Sequence, residues 1–128
     1  MNDDLYREQI LDHNANPRNT GELPDADIDQ GKVNVACGDE MRVLLKLDGD
    51  RIATMRFVGR GCAISQASAS MLTELLPGKS LDAVTAMGAG DITTMLGVEL
   101  SPSRLRCALL ALETAQRGIA QYRGRSHD

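Results

Sequence analysis

Tryptophan is absent from this 128-residue chain, and only one phenylalanine and two tyrosines are present. Aromatic rings therefore cannot fill its interior. Leu, Ala, Ile, Val and Met must do so, which favours helices packed closely over small side chains. No run approaches the roughly 18 apolar residues of a membrane span. The first residues, Met1-Asn2-Asp3-Asp4, are acidic and lead into no apolar stretch, so no secretory signal is expected. No basic stretch stands out against a formal net charge of -4, so nucleic acid is not an expected partner. There is no Gly-rich phosphate loop, because Gly59 and Gly61 lack the pattern that should follow. No Ser-His-Asp set or glutamate pair invites a hydrolytic reading. Cysteines number three and lie far apart; a disulfide framework would leave one over. Reduced thiols in the cytoplasm are the expectation.

The patterning that is present fits one domain over residues 1–128, with a frayed tail at 123–128. A helix is expected over residues 3–14, with Leu5, Tyr6, Ile10 and His13 on its apolar side. Asn16-Pro17-Arg18-Asn19 stops it. Arg18 is either a solvated loop charge or an arginine that holds loop carbonyls. Residues 22–31 read as an acidic surface loop, and 32–36 as a short strand. Met41, Val43, Leu45 and Leu47 alternate with Arg42 and Lys46 in a second strand. Asp48-Gly49-Asp50 turns the chain. A third strand follows over 51–58, with Ala53, Met55 and Phe57 on one face. This antiparallel meander needs helices to cover it. Residues 63–76 supply one, with a stripe of Ile64, Ala67, Ser68, Met71, Leu72 and Leu75. Ser80 and Asp91 are suited to cap two short helices. Ser101-Pro102 opens the last helix, where Leu105, Ala108, Leu109, Leu112, Ala115, Ile119 and Tyr122 recur at helical spacing.

The chemistry lies in the cysteines. Cys37-Gly38-Asp39 places a thiol and a carboxylate two residues apart, and Gly38 permits an unusual backbone there. Cys62 stands between Gly61 and a helix start, where unpaired N–H groups favour a thiolate. Cys107 lies in the second turn of the last helix, close after Arg104 and Arg106, whose cations act in the same direction. Three sulfurs and one carboxylate make a four-ligand set that would suit zinc or an iron–sulfur cluster. The same thiols could instead take the outer sulfur of a persulfide. His13 reads as structural, and His127 as an exposed tail residue.

Taken together, these residues resemble the U-type iron–sulfur cluster scaffold family: IscU, SufU and the N-terminal domain of NifU. The resemblance rests on Tyr6, Ile10 and His13, on Asn16-Pro17-Arg18-Asn19, on Ala36-Cys37-Gly38-Asp39, on Gly61-Cys62 with Ala67-Ser68, and on Arg106-Cys107. It implies an α+β fold of the SufE/NifU-like kind, a three-stranded antiparallel sheet packed against several helices. It also implies assembly of [2Fe–2S] clusters, or binding of iron, on Cys37, Cys62 and Cys107, with Asp39 assisting. Zinc occupies the same site in many SufU members. Sulfur would come from a pyridoxal-phosphate-dependent cysteine desulfurase, with the three cysteines as candidate persulfide acceptors. Apo iron–sulfur proteins or carriers would receive the cluster. The surroundings of Cys62 and Cys107 resemble SufU, whereas the 45-residue spacing between them is near the Isc-type length. Leu100-Ser101-Pro102-Ser103-Arg104 departs from the Leu-Pro-Pro-Val-Lys motif that Isc scaffolds present to a specialised Hsp70 chaperone, so that partner is not implied.

Overall fold

The computed structural model describes residues 3–35 and 38–125, and side chains from Arg7 to Gly124 within that range. The described residues form five helices and one three-stranded sheet. In chain order they are α1 (Asp3–Ala15), β1 (Ile28–Asn34), β2 (Asp39–Asp48), β3 (Arg51–Arg60), α2 (Ala63–Leu75), α3 (Leu81–Thr85), α4 (Ala89–Leu96) and α5 (Pro102–Arg125). The strands lie side by side in the order β1-β2-β3, and both pairs are antiparallel. The expected fold class is therefore the one observed.

The inner face follows from alternation. Met41, Val43 and Leu45 of β2 are buried; α5 packs over β1 and β2, and α2 packs over β3. Helix α2 is buried almost all round because Ala67, Ser68, Ala69 and Ser70 are small enough to let neighbours approach. Leu75 was expected in its buried stripe but is exposed, and Leu76, just past the helix end, is buried instead. On α5, Gly118 is the contact point with β1: a Cβ there would lie 2.6 Å from Ile28 Cγ2. Replacing Gly118 by alanine is expected to lower stability by roughly 1–3 kcal/mol, the usual result of overpacking. Urea denaturation checks this, and an unchanged midpoint would contradict the close approach.

Three expectations about the sheet need correction. The first strand starts at Ile28 rather than residue 32, because Ile28 packs into the core and pairs with Leu45. Residues 21–27 do not form a loose loop. The Gly21 N–H donates to Phe57 O (3.0 Å) at one edge, and the Asp27 N–H donates to Leu45 O (2.8 Å) at the other. Between them the segment crosses the outer face of the sheet, where Arg56 donates to Glu22 O and Arg42 pairs with Glu22 and Asp29. That crossing accounts for Leu44, which points outward by alternation yet is only 1% exposed. In β3, Ala53 is exposed. The register slips between Lys46 and Leu47, leaving Ala53 as the extra residue of a bulge, and Ile52 turns inward in its place.

At the helix ends, the Ser80 hydroxyl accepts from the Ala83 N–H (3.1 Å), as expected for a cap. Asp91 is not the cap of α4. Gly88 holds that position, and Asp91 sits in the first turn with its carboxylate accepting from the Gly88 N–H (2.9 Å). Ser101 accepts from the Arg104 N–H at the start of α5. Helix α5 continues to Arg125, through residues read as tail. The side chains of Leu5 and Tyr6, and His127, lie outside the described residues. Among those residues, no helix is long and apolar enough to cross a membrane.

Helix α1 is held by a polar junction. The Ser70 hydroxyl oxygen lies 2.7 Å from His13 Nδ1 and accepts from the Arg18 N–H (2.9 Å). The Arg18 guanidinium donates to Asn16 O and Asp12, so this arginine does hold loop groups. Burial, followed by the charge of Arg18, pushes the His13 imidazole below its ordinary pKa, and Glu74 only partly opposes this. A depressed folded pKa means that the unfolded chain takes up the proton first. His13 therefore contributes stability above the unfolded value of about 6.5, and that stability is lost as pH falls through and below it. Stability measured from pH 8 to pH 5 should decline, and His13→Gln should flatten the slope. An equal slope in the variant would rule His13 out as the cause.

Candidate metal and cluster site

Three elements end at one place. Asp39 is the first residue of β2 and faces Asn34 of β1. Before it, Gly38 adopts φ +71°, and its N–H donates to Asn34 O (2.9 Å), closing the hairpin. A side chain is disfavoured at that φ, which is why glycine suits the position. Cys62 is the N-cap residue of α2 and has extended backbone. Cys107 lies in the second turn of α5, with Arg104 and Arg106 exposed beside it.

One ligand atom from each of Asp39, Cys62 and Cys107 falls within 4.8 Å of the other two. Asp39 is 1% exposed, Cys107 is 6% exposed, and Cys62 is open to solvent. Cys37 lies outside the described residues.

Asp39 does two jobs with its two oxygens. Oδ1 accepts the Cys62 N–H (3.1 Å), while Oδ2 lies 3.8 Å from Cys62 Sγ. Helix α2 has no acidic residue in its first turn, and the Cys62 side chain makes no capping bond. The carboxylate from β2 thus caps α2 from outside, at the positive end of the helix dipole. Gly61 makes the approach possible. A Cβ there would lie 2.6 Å from Ser65 Oγ and 2.7 Å from Asp39 Cγ. Neither the role of Gly61 nor the proximity of Ser65 emerged from the sequence reading. Ser65, three residues after an N-cap cysteine, was the signal that could have shown the latter.

Chemically, the described part of the site is one buried carboxylate and two thiols. Thiolate and carboxylate are both zinc ligands, and a fourth donor would complete a tetrahedron. Thiolates also hold iron–sulfur clusters. The donor set fits either.

A family model described as the NifU-like N terminal domain matches residues 5–128. The chain belongs to this family. Two curated relatives match it along nearly the whole of both chains. It is 38% identical to the zinc-dependent sulfurtransferase SufU of Bacillus subtilis (strain 168), covering 95% of this chain and 94% of that one. It is 37% identical to the iron–sulfur cluster assembly scaffold protein IscU of Escherichia coli (strain K12), covering 94% and 95%. Among solved structures, a putative SUF-system scaffold from Fervidobacterium islandicum AW-1 superposes with a TM-score of 0.77 at 29% identity, covering 88% of this chain and 94% of that one. A NifU-like N-terminal domain from Brucella abortus shares the fold, with a TM-score of 0.75 at 21% identity over 96% and 97%. The resemblance read from the cysteine motifs is therefore the family shown.

Proposed function

We propose that this chain is a scaffold that assembles a [2Fe–2S] cluster as cargo and passes it to apo iron–sulfur proteins. The cluster would be held by Cys37, Cys62 and Cys107, with Asp39 as the fourth, exchangeable donor. The observation that carries this reading is the convergence of Asp39, Cys62 and Cys107 from three separate elements onto one locus. Kinship with IscU supports it. A pyridoxal-phosphate-dependent cysteine desulfurase would be the sulfur source. A thiolate of this chain attacks the outer sulfur of the desulfurase persulfide. A new S–S bond forms, the partner's S–S bond breaks, and the partner leaves as a thiolate. Of the two described thiols, Cys62 is the exposed one and the one a partner can reach. Reduction of the transferred sulfur to sulfide draws electrons from an external reductant. A cytoplasmic setting fits thiols that must stay reduced.

A second reading has an observation of its own. SufU, a zinc-dependent sulfurtransferase, matches across nearly both chains, and a mixed carboxylate–thiolate set suits zinc. In that reading Cys37, Asp39, Cys62 and Cys107 would hold zinc, and a thiol would take up persulfide sulfur. Supplying iron, cysteine and a desulfurase without oxygen separates the two. A visible-absorbing cluster that moves to an apo-acceptor is expected for the scaffold. Tightly held zinc, no cluster absorption and stimulated desulfurase turnover would sink the scaffold reading in favour of the sulfurtransferase.

A further inference from the structure

We infer that Ser65 is a positioning residue for the Cys62 sulfur, donating a hydrogen bond to it whenever that sulfur is bonded to a metal or to a transferred sulfur. The inference rests on the reading above and deepens it.

Ser65 is fully buried on the first turn of α2, in a site whose other members are already assigned. Its Oγ lies 3.0 Å from Cys62 O, to which it donates, and 3.8 Å from Cys62 Sγ. It also stands close to Asp39, since the missing Gly61 Cβ would touch both. A hydroxyl has one proton and two lone pairs. With the proton on Cys62 O, a lone pair faces the thiol, so the S–H has two acceptors, Ser65 Oγ and Asp39 Oδ2, each 3.8 Å away. A sulfur bonded to metal or to a second sulfur carries no proton and can only accept. Rotation about the Ser65 Cβ–Oγ bond then carries the hydroxyl proton from the carbonyl to the sulfur. The two groups between which the hydroxyl proton moves, Cys62 O and Cys62 Sγ, belong to one residue, so the helix need not move. Hydrogen bonds to ligand sulfurs help set cluster potentials, and partners behind the ligands tune metal affinity.

The test compares Ser65→Ala and Ser65→Thr with the native chain. Ser70→Ala serves as a control: Ser70 is a buried serine of the same helix, tied to His13 and Arg18. With a cluster loaded, Ser65→Ala should shift the reduction potential to more negative values. With Co²⁺, it should move the sulfur-to-metal charge-transfer band and weaken binding about tenfold. Ser65→Thr should restore both. Ser70→Ala should lower stability and leave both readouts in place. A Ser65→Ala chain with native potential, band and affinity would overturn the role of Ser65 while leaving the scaffold intact. A native chain that takes up neither cluster nor Co²⁺ would overturn the underlying reading, and this role with it.

Discussion

Gly61→Ala is expected to weaken zinc or Co²⁺ binding at least about tenfold and to lower stability by roughly 1–3 kcal/mol. The added Cβ would fall 2.6 Å from Ser65 Oγ and 2.7 Å from Asp39 Cγ, inside normal contact distance for both. Two responses are open. Asp39 can rotate away, which removes the cap from α2 and withdraws the carboxylate from the thiols. Alternatively, the chain before α2 can shift, which moves Cys62. Either response separates donors that now lie within 4.8 Å of one another. Competition titration with a chelator measures the first effect and urea denaturation the second. Native affinity in Gly61→Ala would show that the approach of Asp39 to Cys62 is not what organises the site.

The second large effect is at Asp39 itself. Asp39→Asn keeps an oxygen that can accept the Cys62 N–H, so the cap on α2 survives and stability should stay near native. It removes the anionic donor from Oδ2, so zinc affinity should fall at least about tenfold. Asp39→Cys places a fourth thiolate where the carboxylate was. Thiolates hold iron–sulfur clusters more firmly than an oxygen donor does, so transfer of a loaded cluster to an apo-acceptor should slow. The two variants pull apart the helix-capping and ligand roles of one residue. If Asp39→Cys released its cluster at the native rate, Asp39 would not be the element that keeps the cargo exchangeable.

How much of this was legible in the sequence depends on the element. Strand β2 was clear because Met41, Val43 and Leu45 fall on one face and Arg42 and Lys46 mark the other, even with Leu44 among them. Helix α5 was clear because Ser101-Pro102 and the apolar spacing agree. The start of β1 was not, because Ile28 is a lone apolar residue among Asp27, Asp29 and Gln30, and only its packing in the core shows it. The outer covering of Leu44 was hidden for a similar reason: Leu23 and Ala26 are scattered among acidic residues, and the segment is held by backbone bonds and by Arg42 and Arg56. The bulge at Ala53 could not be seen either, since alternation assumes an unbroken register. The candidate ligands were legible as residue types. Their grouping into one site was expected from the cysteine motifs, but the distances among Asp39, Cys62 and Cys107 were not, because they depend on where a hairpin, a strand–helix junction and a distant helix meet. Ser65 and Gly61 escaped for a subtler reason. Neither is an obvious ligand, and their importance lies in distances to Asp39 and Cys62 that no spacing rule contains.

The central claim is that Cys62 and Cys107 act with Asp39 as one binding site. The most direct test is iron, sulfide and zinc analysis, with visible spectra, of the native chain, Cys62→Ala and Cys107→Ala, each prepared without oxygen and supplied with iron, cysteine and a desulfurase. The account predicts a [2Fe–2S] spectrum in the native chain and its loss in both variants, although both remain folded. A native-like spectrum and metal content in both variants would contradict it.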